Sequence, residues 1–222
     1  MIYIVQTYGS MLLSAMGRTL LMTLLALLFA MIIGLIFALM NVGRNRVFNL
    51  IGTVYVDAVR GVPLIVLAYF IYFGLPAGIQ AIGFTEFRLP ALQAGTIALS
   101  MNCGAYMAEI IRAGIESVDK GQMEASRSLG LSYGRSMRLV ILPQAIRTMI
   151  PSIINQFIIT LKDTSILSVI GFTELTNVGK TIMGNTFKNL ETWAIIAIMY
   201  MVVIITLSKI AKRLERRLSR GR

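Results

Sequence analysis

The chain has 222 residues, of which 56% are hydrophobic and 14% are charged. This composition excludes an ordinary soluble globular domain and indicates an integral membrane protein. The formal net charge is +11, but the basic residues lie between apolar runs and in residues 209–222, which favours a membrane-orientation signal over nucleic-acid binding. The chain has no histidine and a single cysteine, Cys103, so it lacks an intramolecular disulfide and the commonest metal ligand and general base.

Five apolar segments are long enough to cross a hydrocarbon core of about 30 Å as helices. They are residues 19–40, 50–74, 91–111, 145–161 and 193–209. Residues 1–17 are interrupted by polar and small residues and lack a basic start, so we expect an uncleaved segment at the outer interface. Residues 41–49 are expected to form a short polar turn and residues 76–90 a loop. We therefore predict an all-α integral membrane protein with five transmembrane helices in a single domain, residues 1–222.

The lysine and arginine residues divide unequally between the gaps that separate these spans. One side collects fifteen of them, in residues 44–46, 112–147 and 209–222, whereas the other side holds Arg88, Lys162, Lys180 and Lys188. The positive-inside rule therefore places the N-terminus outside and the C-terminus in the cytoplasm. An odd number of spans without a visible internal repeat also argues against a secondary transporter made of two inverted halves.

Residues 117–143 form a polar stretch on the predicted cytoplasmic side. Asp119 and Gln122 have the spacing of a capping box, and Gly130 is placed to end a first helix in a left-handed conformation. Ser132 is placed to cap a second helix that runs towards Pro143. By itself this pattern is equally compatible with an amphipathic connector that lies at the membrane interface.

The order of residues in this stretch resembles the EAA motif of permease subunits of ATP-binding-cassette importers. The motif consists of Glu124, Ala125 and Ser126, then Gly130, then the ending ILP at 141–143, with serine where the family has alanine. Other stretches resemble the polar amino acid permeases of that family: VRGVPLIVL at 59–67, AEIIRAGIESVDKGQMEA at 108–125 and LKDTSILSVIGFTEL at 161–175. The resemblance extends over residues 18–212.

This resemblance implies a type I importer permease fold in the cell inner membrane. It also implies that residues 117–143 contain a coupling helix, which docks on a cytoplasmic ATPase dimer through Glu124, Ala125, Ser126, Leu129 and Gly130. The other implied partners are a second permease copy, identical or closely related, and an extracytoplasmic amino-acid-binding protein. ATP and magnesium are expected on the ATPase partner, with no cofactor in this chain.

Gly179, Lys180 and Thr181 spell the end of a phosphate-binding loop. The complete pattern requires a glycine five residues before Gly179, where this chain has Glu174. The segment also lies on the predicted outer side, away from cytoplasmic ATP. We therefore expect no nucleotide site in this chain and interpret it as a transport subunit, not an enzyme.

Polar residues inside the predicted spans are costly in a bilayer and usually face a cavity or a partner. If Asp57 and Arg60 do not line a substrate pathway, the alternative is that they form an ion pair on one helix face. For Asn102, Asn155 and Gln156 the alternative is hydrogen bonding between helices. Lys162 and Asp163 are equally compatible with a solvated interface, and Glu109 with Arg112 is expected to be a structural pair. The candidate substrate pathway comprises Asp57, Arg60, Asn102, Asn155, Gln156, Lys162 and Asp163.

The acidic residues Asp57, Glu109 and Asp163 favour a cationic amino acid as the substrate. Arg60 and Lys162 argue the other way, which leaves glutamine open. The main alternative function is a stand-alone ion channel or secondary transporter, which would need no partner. A membrane-embedded enzyme is a third alternative, weakened by the absence of histidine and of a clustered acidic site.

Overall fold

The computed structural model describes residues 1–43 and 45–219, with side chains through residue 213. Every regular element in these residues is a helix. The α-helices are α1 (Ile2–Val42), α2 (Arg46–Gly61), α3 (Leu64–Tyr69), α4 (Leu75–Ala81), α5 (Ala91–Glu116), α6 (Lys120–Ser128), α7 (Tyr133–Ser136), α8 (Leu142–Asp163), α9 (Leu175–Thr186) and α10 (Asn189–Ser219). A π-helical turn, Phe70–Gly74, joins α3 to α4, a second, Met137–Ile141, joins α7 to α8, and a 3-10 helix, Thr164–Ile170, follows α8.

Four helical stretches of the described residues are long and apolar enough to cross a membrane: Ile2–Val42, Leu64–Ala81, Tyr133–Ile170 and Asn189–Arg213. The predicted third span corresponds to α5, which is less apolar because it carries Gln93, Ser100 and Asn102. More than half of the α5 residues are buried among the other helices. A helix in this central position does not need the lipid-compatible surface that hydropathy detects.

Residues 2–17 are helical and continuous with the first predicted span, and their place at the outer interface stays a prediction. They belong to α1, a continuous helix of 41 residues, which at 1.5 Å per residue is about 61 Å long. Ile4, Leu12 and Met16 are buried in a cluster with residues of α9 and α10. Tertiary packing therefore stabilises the helix through a region that has a broken apolar pattern.

The predicted second span, residues 50–74, is not one helix. It is interrupted at Val62 and Pro63, where both residues are extended, and the chain becomes helical again at Leu64. Proline has no N–H to donate and restricts the residue before it, which explains the position of the break. The predicted loop at 76–90 is also partly wrong, because α4 continues to Ala81.

Both π-helical turns end directly before a Leu-Pro pair. Leu75 N–H donates to the Phe70 carbonyl before Pro76, and Leu142 N–H donates to the Met137 carbonyl before Pro143. Proline clashes with the carbonyl four residues earlier, and one wider turn relieves that clash while the helix continues. The second predicted helix therefore runs to Pro143 and continues beyond it, because Tyr133–Ile170 is a continuous helical rod.

The centre of the fold is the contact between α1 and α5. A Cβ atom on Gly34 would lie 2.5 Å from Met107 Cβ, and one on Gly104 would lie 2.7 Å from Ile33 Cγ2. The two glycines therefore allow the helix backbones to approach closely. Tyr55 attaches α2 to this centre, because its ring stacks on Phe37 at 3.8 Å and its hydroxyl donates to the Met101 carbonyl at 2.8 Å.

Candidate functional site

Three neighbouring cavities that share lining residues lie along α2 and α5, two of them also against α8, and together we call them the trench. The Asp163 cavity has a volume of about 430 Å³, the Asn155 cavity about 470 Å³ and the Glu116 cavity about 340 Å³. Arg60 lines all three of them. Tyr106 and Gln156 line the first two, and Glu109 lines the last two. Arg60 is therefore the residue that all three cavities of the trench have in common.

Six of the seven candidate pathway residues line the trench. Asn102 and Asp163 lie in the Asp163 cavity, Asn155 in the Asn155 cavity and Asp57 in the Glu116 cavity, whereas Arg60 and Gln156 line more than one. Lys162 is exposed and does not line these cavities. The structure thus brings together residues from three helices that are far apart in the sequence.

The charged residues of the trench form a ladder across α2 and α5. Arg112 donates to both Glu109 carboxylate oxygens, at 3.2 Å from Nε and 2.6 Å from Nη2, and its Nη1 donates to Glu116 at 2.5 Å. The expected Glu109–Arg112 pair is therefore present. Arg60 lies 3.9 Å from Glu109, whereas Asp57 makes no ion pair within the described residues. The alternative of an Asp57–Arg60 pair was wrong, because Arg60 reaches across to α5.

Sequence reasoning did not single out the polar stripe along α2. Arg46, Asn49, Thr53, Asp57 and Arg60 recur at spacings of three and four residues, which puts them on one helix face. The last four line the Glu116 cavity, and the first three line a neighbouring cavity of about 500 Å³. This periodicity is a signal that could have found Asn49 and Thr53. Tyr106 has no comparable signal, since one aromatic residue in a span usually packs against lipid or protein.

Residues 117–143 fold as the capping pattern predicts, with one difference. The Asp119 carboxylate accepts a hydrogen bond from Gly121 N–H at 2.7 Å, but the Gln122 amide oxygen accepts from Gln144 at 3.4 Å instead of completing a capping box. Gly130 has φ +86°, in the left-handed region, and Ser132 caps α7. The result is a corner between α6 and the Tyr133–Ile170 rod, linked to α8 through Gln122.

The corner presents one surface outward and one towards the membrane helices. Glu124, Ala125 and Gly130 are exposed, and the Leu129 side chain is 85% exposed. Ser126 is buried, with its hydroxyl donating to the Met123 carbonyl at 2.9 Å. Four of the five expected docking residues therefore lie on an exposed surface, and Ser126 holds the turn from within.

A separate polar network joins α1 to the start of α9. Both oxygens of the fully buried Glu174 carboxylate accept hydrogen bonds, from the Thr176 and Asn177 amides and the Tyr200 hydroxyl. Burial raises the Glu174 pKa above its ordinary value, and these hydrogen bonds oppose that rise. Glu174 therefore caps α9. Gly179, Lys180 and Thr181 lie inside this helix, so they do not form a phosphate-binding loop.

These features find a counterpart in a known family. A family model described as a binding-protein-dependent transport system inner membrane component matches residues 30–220. The chain belongs to this family. It is 38% identical over 200 residues to the glutamine transport system permease protein GlnP of Escherichia coli, covering 90% of this chain and 89% of that protein. It is 37% identical over 185 residues to the arginine transport system permease protein ArtQ of Bacillus subtilis, covering 83% and 82%.

Solved structures of transporters have the same fold as this inner membrane component. A crystal structure of an amino acid ABC transporter with histidines matches with a TM-score of 0.90 and 41% identity, covering 97% of both chains. The MetNI methionine ABC transporter in an inward-facing conformation matches with a TM-score of 0.80 over 95% of this chain and 97% of that one. At 20% identity, the second likeness supports the fold alone. The type I importer permease fold expected from the sequence is therefore confirmed.

Proposed function

We propose that this chain is the permease subunit of an ATP-driven amino acid importer and that its trench carries cationic amino acids. The observation that carries the preference is the charge of the trench. Its lining contains four carboxylates, on Asp57, Glu109, Glu116 and Asp163, but only two guanidinium groups, on Arg60 and Arg112. The excess of negative charge attracts a cation.

The same lining suits the two charged groups shared by all free amino acids. Arg112 already satisfies Glu109, so the one ion pair of Arg60 among the described residues is long and its guanidinium is available for an α-carboxylate. Asp57 and Asp163 have no ion-pair partner among the described residues and are available for amino or guanidinium groups. Asn102, Asn155 and Gln156 supply neutral hydrogen-bonding groups between them.

Exposed charge in the trench supports the second permease copy. Asp57 and Arg60 are exposed on the isolated chain, although they lie between segments that cross the membrane. Such groups are costly in contact with lipid, so a protein surface that covers the trench and encloses water would stabilise them. A second copy of this chain, or a close paralogue, facing the first is the simplest cover.

The helical rod Tyr133–Ile170 supports a mechanism of coupling. One end of the rod begins at the Gly130 corner, and its middle carries Asn155 and Gln156, which line the trench. A cytoplasmic ATPase dimer that pulls on Glu124, Ala125, Leu129 and Gly130 would tilt the rod and with it the trench wall. ATP and magnesium belong to that partner, and an extracytoplasmic binding protein delivers the amino acid.

Uptake into liposomes tests this function. The chain is reconstituted with its ATPase and binding protein, and uptake of labelled arginine is measured with ATP, without ATP and without the ATPase. We expect uptake only in the complete system, with unlabelled arginine, lysine or histidine competing better than glutamine. Uptake without ATP or the ATPase would overturn the importer and support a channel or secondary transporter.

Glutamine is the second candidate substrate. The three amides of the trench can pair with a carboxamide, and the relative in Escherichia coli is named a glutamine permease. Stronger competition by glutamine than by arginine would overturn the cationic preference. The importer itself would then stand with a neutral substrate.

A further inference from the structure

We infer that Tyr106 is a positioning residue for substrate recognition: its ring holds the Arg60 guanidinium at the junction of the three cavities, ready for an α-carboxylate. This inference rests on the proposed function, and it assigns the recognition of the carboxylate to a pair of residues instead of a single cation. The guanidinium carbon of Arg60 lies 5.3 Å from the centroid of the Tyr106 ring. That distance is within the range of a cation–π interaction.

Arg60 needs such a support because its other contacts are weak. Its ion pair with Glu109 spans 3.9 Å, whereas Glu109 receives two hydrogen bonds from Arg112 at 3.2 and 2.6 Å. The Glu109 charge is therefore largely neutralised by a different residue. A long arginine side chain held only at 3.9 Å would sample many rotamers, which costs binding energy when a ligand has to order it.

The position of Tyr106 on α5 explains why its ring can do this. Asn102 and Tyr106 are four residues apart and Glu109 follows three residues later, so all three lie along one face of the helix. Tyr106 lines the Asp163 and Asn155 cavities, both of which Arg60 also lines. The ring thus lies beside the path that a substrate would follow past Arg60.

The ring, and not the hydroxyl, carries this role. Within the described part of the chain, the Tyr106 hydroxyl has no hydrogen-bond partner, whereas the Tyr55 hydroxyl donates to a carbonyl and the Tyr200 hydroxyl to Glu174. Removal of the oxygen alone should therefore preserve the geometry of Arg60. Removal of the ring should release the guanidinium.

Direct binding to the permease–ATPase complex, without binding protein, tests the inference. The probes are L-arginine and L-argininamide, and in parallel L-glutamine and L-glutaminamide, because each amide lacks the negative carboxylate. We expect the wild-type complex to prefer the amino acid. Tyr106→Phe should keep that preference, whereas Tyr106→Leu should weaken binding of the amino acid about tenfold and leave the amide unchanged.

Tyr106→Met is measured alongside Tyr106→Leu. Methionine and leucine have similar volumes and no ring, so an effect seen in both variants does not come from a packing defect in one of them. Tyr69→Leu makes the same chemical change on α3, at a side chain that does not line the trench, and should bind like the wild type. A role of Tyr106 in packing alone would weaken amino acid and amide equally.

The outcomes separate this inference from the proposed function. Wild-type preference in both Tyr106→Leu and Tyr106→Met, an equal loss for amino acid and amide, or loss of preference in Tyr106→Phe would overturn the positioning role while leaving the importer intact. Absence of binding by the wild-type complex to either amino acid would overturn the substrate site in the trench and this inference with it.

Discussion

Glu174 illustrates how a single buried carboxylate can be structurally important and also pH-sensitive. It is enclosed by α1, α9 and α10, and the neighbouring Leu175 N–H donates to Thr19 of α1 at 3.1 Å. Arg18 adds a second link, because its Nε donates to the Thr173 carbonyl at 2.7 Å. The segment before α9 is thus fixed by side chains of α1 that lie more than 150 positions away in the sequence. Local pattern gives no sign of such a link.

The raised pKa of Glu174 predicts that stability declines with pH. In the unfolded chain this carboxyl ionises near 4.5, whereas in the folded chain it ionises at a higher pH, so the folded state holds its proton longer. The stabilisation is therefore complete below about 4.5 and is lost as pH rises through the raised value. Glu174→Gln should remove this decline while lowering stability by about 1–3 kcal/mol, because an amide cannot accept from all three donors.

Thermal unfolding in detergent between pH 4 and 8, followed by the fluorescence of Trp193, measures this effect. Glu86→Gln, at an exposed loop position, is the matched control and should keep the slope of the wild type. An unchanged slope in Glu174→Gln would show that other groups are responsible for the pH dependence.

At the scale of elements, the corner at Gly130 depends on one backbone conformation. Gly130 has φ +86°, and no atom lies within 4 Å of the position that a Cβ would occupy, so a side chain there would introduce backbone strain and not a clash. Gly134 in α7 also has free space but has no left-handed φ. The two glycines therefore form a matched pair that differs in backbone conformation.

Gly130→Ala should reduce coupling, because alanine in the left-handed region costs about 1–2 kcal/mol. We expect the variant to insert and its ATPase partner to hydrolyse ATP, but with fewer substrate molecules transported per ATP; Gly130→Val should be more severe. Gly134→Ala should match the wild type. Transport and ATP hydrolysis measured in the same liposomes give this ratio, and a normal ratio in Gly130→Val would rule out the corner as the coupling element.

The contact between α1 and α5 makes a second prediction for elements. Gly34→Val places a side chain against Met107 and the backbone of Ala108, and such overpacking typically costs about 1–3 kcal/mol. Gly17→Val lies on the same helix with nothing within 4 Å and should be neutral or slightly stabilising. The difference between their thermal unfolding midpoints measures this packing, and equal midpoints would contradict it.

At the scale of the whole molecule, the proposed orientation places the N-terminus outside and the C-terminus in the cytoplasm. Cys103 is the only cysteine and is 1% exposed, so it provides a silent background for cysteine labelling. Ile2→Cys should react with a membrane-impermeant maleimide in intact cells, because Ile2 is exposed near the N-terminus. Lys212→Cys should react only after the membrane is opened. The reverse pattern of labelling would invert the topology.

The sequence by itself determined the features that depend on local chemistry. Apolar length indicated the spans, Gly130 and Ser132 indicated the corner, and the polar residues of the spans indicated the trench. Apolar length did not indicate the break between α2 and α3, because by itself it predicts residues 50–74 as one helix. These signals are local because a cap, a left-handed glycine or an apolar run acts through neighbouring residues. The basic tail at 209–222 was also visible, but beyond residue 213 its side chains lie outside the described residues.

Only the tertiary structure decided which distant groups meet. Arg60 had a carboxylate three residues away in Asp57, yet it contacts Glu109 and Tyr106 of α5, because the packing of α2 on α5 turns its side chain across the trench. The continuity of α1 through residues 2–18 likewise depends on burial against α9 and α10. Side-chain partners of this kind follow from how helices pack against each other, a choice that the periodicity within one helix does not encode.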